Sequence, residues 1–411
     1  MTASSQAPTG RGRRLLPLLG PAFVASIAYV DPGNFATNTA AGARYGDTLI
    51  WVVVGANLMA MLVQWLAARL GVVTGKGLSE LCREQYSQRT TVALWIQAEV
   101  VAMATDLAEI VGSAIALDML FGIPPLPAGL IAAATATGLL ELERRGHRRF
   151  EVVIVGMLSI ILAGFLYSAF RAGGDIGAAL HGFVPHMAGQ GSVVLAVGIL
   201  GATVMPHVIY LHSALAARRA KLEDRDGIVK LLKATKTDIF VALGVAGVVN
   251  LAMLWVAATL LHGLPAGTVD TLPEAQKAYA SVAGQGTAVA FALALLVSGF
   301  ASSSVGTFSG QVIMEGFTHW RIPVLTRRLV TLAPAIAVLA IGFDPTATLV
   351  LSQVVLSFGI PFALVPLVRF TSDRELMGEF TVQPRTKAAA VLVAMAIIAL
   401  NAFLLIHLVI G

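Results

Sequence analysis

The chain has 411 residues, of which 57% are hydrophobic and only 12% are charged. A soluble domain is about a quarter charged, so this composition describes an integral membrane protein. The single cysteine, Cys82, excludes an internal disulfide, and the formal charge of +5 is explained by where the basic residues fall rather than by nucleic-acid binding.

The chain opens on a polar head, MTASSQAPTGRGRR, with no cleavage site after a short apolar core, so no signal peptide is expected. Eleven apolar runs then follow, each long enough or nearly so to span a bilayer, near residues 15–43, 47–70, 92–118, 126–142, 150–170, 192–217, 237–261, 285–313, 325–342, 346–368 and 388–410. With the N-terminus in the cytoplasm, Arg11, Arg13, Arg14 and the loops ELERRGHRRF and RRAKLEDRDGIVKLLKATK all fall inside. Of the 28 Lys and Arg, only Arg44, Arg171 and Lys277 fall outside. That asymmetry predicts a multi-pass protein of the cell membrane, N-terminus in and C-terminus out. The basic loop 218–236 is expected to face anionic lipid.

The first run is interrupted by ASIAYVDPGNFATN. An aspartate at membrane depth is costly, and proline and glycine both work against a helix. The sixth run holds a second break, GATVMPHVIYLH. Pro32 and Pro206 each lie in the first run of a group of five, and because five is odd the second group enters the membrane from the opposite side. Interrupted segments at corresponding places of opposed halves point to a secondary transporter with its site at mid-membrane. The repeats cover about 15–170 and 192–368 of one transmembrane domain, with an extra helix over 388–410. Carbonyls freed near Ala28 and Ala202 need partners in hydrocarbon, and a cation at the crossing supplies them. A further Asp-Pro, in FDPTATL, sits at the mouth of the tenth run; Asp344 there reads as a helix cap with no transport role.

At the breaks the side chains offered are Asp31, Asn34, Met205 and His207. Magnesium and calcium take oxygen only, whereas a thioether favours softer ions such as manganese, ferrous iron, cobalt or cadmium. A methionine in a membrane helix is usually packing filler, and what sets Met205 apart is its place immediately before Pro206, opposite Asp31. His207 and His212 lie about 140° apart around a helix and form no two-histidine pair. No H-E-x-x-H or C-x-x-C occurs, and no enzyme chemistry is expected.

The third run, WIQAEVVAMATDLAEIVGSAIALDML, places Glu99, Asp106 and Glu109 within an arc of about 80°. With Asp31 these are the carboxylates expected well inside the bilayer, and such a row reads as a proton relay or as an ion-pair network, with Arg327 and Arg328 as candidate partners. His207 is the first acceptor near Asp31; His212 is either a further relay or a histidine bonded to a neighbouring helix. Asp118 reads as interfacial, and His181, His186 and His407 lie near the outer surface. Gly299, Ser303, Gly306 and Gly310 form a small-residue stripe for close helix packing, and Asn57 and Asn250 read as interhelical hydrogen-bonding groups.

The stretches ASIAYVDPGNFATN, ATVMPHVIYLHSAL, QAEVVAMATDLAEI and LSQVVLSFGIPFALVPL resemble segments 1, 6, 3 and 10 of the Nramp family of proton-coupled divalent metal transporters, over nearly the whole chain. The resemblance implies an all-α, leucine-transporter-like fold of 11 transmembrane helices. It implies uptake of manganese or ferrous iron with protons. It implies a metal held by Asp31, Asn34, Met205 and the carbonyls of Ala28 and Ala202, with Gln353 joining in inward-closed states. It also implies that the acids of segment 3 pair with Arg327 and Arg328. Divalent transition metal ions, protons and the lipid bilayer are then the partners; no resident cofactor, nucleic acid or obligatory protein partner is expected. The alternative within transport is a sodium-coupled amino-acid carrier of the same fold, disfavoured because Asp31 would repel a substrate carboxylate.

Overall fold

The structure, a computed structural model, describes residues 21–145, 147–174, 176–220, 224–265, 267–319 and 322–410. The basic head with Arg11, Arg13 and Arg14, and the side chains of His407 and of ELERRGHR, lie outside the described residues. The described residues are all helical or connecting. The first run is two half-helices, α1 (Pro21–Ala28) and α2 (Pro32–Tyr45). Then come α3 (Ile50–Thr74), a short α4 (Leu78–Gln85), α5 (Gln88–Phe121), α6 (Pro125–Arg145) and α7 (His147–Ala172). A short α8 (Ile176–His181) leads to the second pair of half-helices, α9 (Gln190–Thr203) and α10 (Pro206–Ala220). The second half continues with α11 (Arg225–Leu261), a connecting α12 (Leu272–Ala283), α13 (Gln285–Thr318), α14 (Val324–Ile341) and α15 (Pro345–Thr371). A short α16 (Arg374–Met377) precedes the last helix, α17 (Pro384–Ile410).

These helices occupy all eleven expected runs. By length and apolarity alone, eight stretches among the described residues suffice to cross a membrane. The difference from eleven has three sources: α2 and α3 run together in that measure, the apolar part of α6 ends at Leu140, and α14 is a short helix with Arg327 and Arg328 in its first turns. The seventh helix begins twelve residues before its apolar run, because Asp224 caps it by accepting from the Gly227 N–H at 2.8 Å. Apolarity marks only the part of a helix that meets lipid.

Packing repeats with the symmetry of the two breaks. The α2 half-helix lies along α11, as α10 lies along α3; α5 packs on α15, as α13 packs on α7. The largest contact of all, α5 with α13, and those of α3 with α11 and α6 with α14, join corresponding helices of the two halves. This exchange of the first, second, third, fourth and fifth membrane crossings with the sixth to tenth is what two inverted five-helix repeats produce. The last helix, α17, stands outside it and packs on α15.

Candidate metal site at the two breaks

Each break follows from one proline. Pro32 has no N–H for the carbonyl of Ala28, four residues earlier, and Pro206 stands in the same relation to Ala202. Asp31 then caps α2: its Oδ1 accepts from the Asn34 N–H at 2.9 Å and from Asn34 Nδ2 at 2.6 Å. The same Nδ2 donates to the Ala202 carbonyl at 2.9 Å, and Thr203 Oγ1 donates to Asn34 Oδ1 at 3.3 Å. One amide thus bridges both breaks. Met205 is in the second break itself, between α9 and α10.

Helix α15 closes the site at Gln353. A methyl group on Gly33 would collide with the Gln353 side-chain amide, and one on Gly201 would collide with the Gln353 main-chain carbonyl. Both glycines therefore exist where α15 approaches each broken segment at a single residue. Asp31 and Met205 are 1% exposed, and Asn34 and Gln353 are 0% exposed. Asp31 Oδ2 and Gln353 Oε1 are buried without a hydrogen-bond partner. An orphaned carboxylate oxygen is costly inside a protein, so the pocket fits a ligand that supplies positive charge. The donors assembled are carboxylate, amide, main-chain carbonyl and thioether, a set that matches a softer divalent ion better than calcium or magnesium.

The site is sealed from both faces. A cavity of about 650 Å³ descends from the face carrying Arg44, Asp270 and Asp344 and ends at Val354, beside Gln353. On the opposite, basic face a cavity of about 390 Å³ is lined by Glu80, Arg83, Arg218, Glu315 and His319. Asp344 caps α15, accepting from the Ala347 N–H at 2.5 Å as the sequence predicts. It also lines the larger cavity, which the sequence did not reveal.

Helix α5 carries the expected acids along the side of the site. Its Gly112 touches the Pro32 ring, so α5 lies directly against the first break. His207 faces this helix, with Nδ1 3.2 Å from Thr105 Oγ1 and Nε2 buried without a partner. Asp106 and Glu109 are buried, at 3% and 1% exposure. Further along, Glu99 pairs with Arg327 at 2.7 Å and accepts from Trp95 Nε1 at 3.1 Å. Arg328 donates to Thr307 Oγ1 at 2.5 Å and to Ser303 Oγ at 3.2 Å. The small-residue stripe of α13 has a second use here. Gly306 lies against the Glu109 carboxylate and Gly310 against the Arg327 guanidinium, so the stripe makes room for charged groups as well as for backbone.

His212 lies elsewhere. Its Nδ1 donates to Gln64 Oε1 at 2.8 Å, and Gln64 Nε2 donates to the Tyr29 hydroxyl at 2.6 Å. The five-residue separation thus sends His207 to α5 and His212 to α3. Asn250 holds the first break from α11, donating to the Tyr29 carbonyl at 2.7 Å and accepting from Asn38 Nδ2 at 3.0 Å. Asn57 packs its amide against Gly247. His181 and His186 are exposed.

Among the described residues two further carboxylates are buried besides Asp31, Asp106 and Glu109, whereas Glu99 is partly exposed. Glu151 is 6% exposed and Asp238 is 8% exposed. Asp238 Oδ2 accepts from the Ala22 N–H, in the first turn of α1, at 3.4 Å. The signal was present: Asp238 begins the apolar run of α11, and a carboxylate there needs a donor. Its partner is 216 residues away in sequence, so no local pattern names it.

Residues 22–407 match the family model for natural resistance-associated macrophage protein-like proteins, Nramp. A Bacillus subtilis protein called divalent metal cation transporter MntH is 48% identical over 397 residues, covering 96% of this chain and 93% of that one. The Mycobacterium tuberculosis protein of the same name is 48% identical over 396 residues, covering 96% and 92%. Crystal structures of an Eremococcus coleocola manganese transporter superpose with a TM-score of 0.83 at 31% identity, covering 97% of this chain and 88% of that one. A nucleobase-cation-symport-1 family transporter in a closed conformation superposes at 0.64 with 14% identity over 93% and 91% of the two chains, a likeness of fold alone. Matched along nearly its whole length in sequence and in structure, this multi-pass membrane chain belongs to the Nramp family.

Proposed function

We propose that this chain carries divalent transition-metal ions, manganese or ferrous iron with cobalt and cadmium also accepted, into the cytoplasm together with protons. The relatives named above are called divalent metal cation and manganese transporters, and the donor set at the breaks suits such an ion. The observation that carries the reading is the buried, unpartnered Oδ2 of Asp31, linked through Asn34 to the second break, which holds Met205, with one carbonyl in each break deprived of its helix partner by a proline. Asp31, whose orphaned Oδ2 supplies the charge, and the Ala202 carbonyl that the Asn34 NH2 group now occupies would hold the metal. The Asn34 amide turns over to present its oxygen, and Ala28, Met205 and Gln353 complete the shell.

Metal ligands must be deprotonated, so metal binding at Asp31 expels a proton. His207 and then Glu109 and Asp106 are the acceptors along α5, leading to Glu99 and the Arg327 pair near the basic face. His212, bonded into the Gln64–Tyr29 network, takes a later place in that route or a supporting one. The half-helices rock against the rest, opening the 650 Å³ cavity to the site from outside and the basic face afterwards. The basic residues on that face support its assignment to the cytoplasm.

Uptake of radioactive manganese into sealed proteoliposomes, with competing ions and an imposed pH gradient, tests this reading. Saturable uptake inhibited by ferrous iron and cadmium but not by magnesium, with proton entry alongside, is the expected result. Sodium-driven uptake of an amino acid with no metal dependence would establish the carrier alternative instead.

A further inference from the structure

Helix α11 has 37 residues, about 55 Å at 1.5 Å per residue, against a hydrocarbon core of about 30 Å. Counting back about 20 residues from its end at Leu261 reaches Val241. The surface changes character at the same place. Phe240, Val241 and Val248 are apolar and about half exposed, whereas Lys230, Lys233 and Lys236, also exposed, precede them. At 100° per residue all six positions fall within an arc of about 140°, so they form one stripe that passes from cationic to apolar.

The Lys236 ammonium is 6.0 Å from the ring centres of both Trp65, on α3, and Phe240. The Arg69 guanidinium lies 5.8 Å from the same Trp65 ring while donating to the Phe380 carbonyl at 2.8 Å. Two cations thus share one indole, and among the described residues neither Lys236 nor Arg69 has a carboxylate at ion-pair distance. The nearby acids are committed: Glu379 accepts both arms of Arg225, at 2.6 and 2.7 Å, and Asp238 is directed to Ala22. Lys236 stands five residues, about 7.5 Å, outside Val241, at the depth of the phospholipid headgroups.

We propose that this stripe is a binding site for one anionic phospholipid, its phosphate on Lys236 and Lys233 beside Trp65 and its acyl chain along Phe240, Val241 and Val248. The continuous apolar surface below the lysines selects a lipid over free phosphate. The site bears on the transport machinery through α11, whose other face holds the first turn of α1 by Asp238.

The test is lipid binding by the purified full chain, followed by native mass spectrometry with phosphatidylglycerol, phosphatidylcholine or inorganic phosphate. The Lys233→Gln/Lys236→Gln variant is compared with Arg385→Gln/Lys387→Gln, which loses equal charge at the start of α17. Phosphatidylglycerol is expected to outcompete phosphatidylcholine at one saturable site, and to weaken about 5-fold for each lysine removed in the first variant only. A Lys233→Arg/Lys236→Arg variant retains binding. Equal binding of the two lipids, equal loss in both charge variants, or displacement of phosphatidylglycerol by inorganic phosphate would each overturn the proposal. None of these readouts depends on the transported ion.

Discussion

The two breaks are built alike and equipped differently. In each, a proline frees the carbonyl of an alanine four residues earlier, and in each a glycine lets α15 in at Gln353. The first break brings the charge, Asp31, and the amide, Asn34; the second brings Met205 and, one residue past its proline, His207. Matching prolines free one alanine carbonyl at each break. Unequal side chains add one carboxylate and one amide at the first break, and one thioether and one imidazole at the second. The comparison teaches that the breaks form the site through backbone and tune it through side chains, and the substitutions below separate those roles.

The largest effect is expected at the charge. Asp31→Ala removes the only ionisable side chain of the proposed ligand set, and Asp31→Asn keeps the shape without the charge. Both should lower manganese uptake to the level of protein-free vesicles while the protein still inserts and migrates as a monodisperse peak. Retained uptake in either variant would move the site away from the first break.

The glycines come next, and they should differ. A methyl on Gly201 meets the main-chain carbonyl of Gln353, which cannot move without shifting α15, whereas one on Gly33 meets the end of a side chain that can swing aside. Gly201→Ala should therefore cost about 1–3 kcal/mol, visible as a lowered melting temperature. Gly33→Ala should melt close to the parent yet transport more slowly, because Gln353 is displaced. Equal melting temperatures would show that the two approaches are equivalent.

Coupling follows. Neutralising Glu109 or Asp106 should impair proton movement more than metal binding. Simultaneous proton and metal flux in proteoliposomes for Glu109→Gln and Asp106→Asn should show metal uptake with an altered dependence on pH. Parental coupling in both variants would make the acids of α5 a purely structural network. Removing Arg327 should act similarly, since it leaves the largely buried Glu99 without its ion pair.

Met205→Ala should have a subtler result. Manganese uptake persists, cadmium uptake weakens most, and exclusion of calcium relaxes, because a soft ligand contributes discrimination more than affinity. If the variant rejects calcium as the parent does, the thioether is packing alone. The smallest effect is expected at Cys82, outside the spanning segments in α4. Burial pushes its thiol up to about 12, so it stays protonated at neutral pH. Maleimide should label it in detergent-denatured protein and leave the native protein unmodified.

Much of this protein was legible in its sequence because a bilayer imposes strong, local rules. Each spanning segment must be apolar and about 20 residues long, so eleven runs that meet or nearly meet that rule can be counted in the sequence. A charged residue beside a proline at depth must serve something, so Asp31 and both breaks stand out. What only the tertiary structure decided are pairings between groups distant in sequence. These include the bridging of Asp31 and Ala202 by Asn34, the closure of both breaks by Gln353, the division of His207 and His212 between α5 and α3, and the holding of Ala22 by Asp238. The stripe of α13 shows the same limit, since its glycines mark a close approach but not that Glu109 and Arg327 fill it. Hydrophobicity and helix periodicity act within one segment and are written in it; the partner of a buried polar group is set by which helices cross, and that is a property of the whole fold.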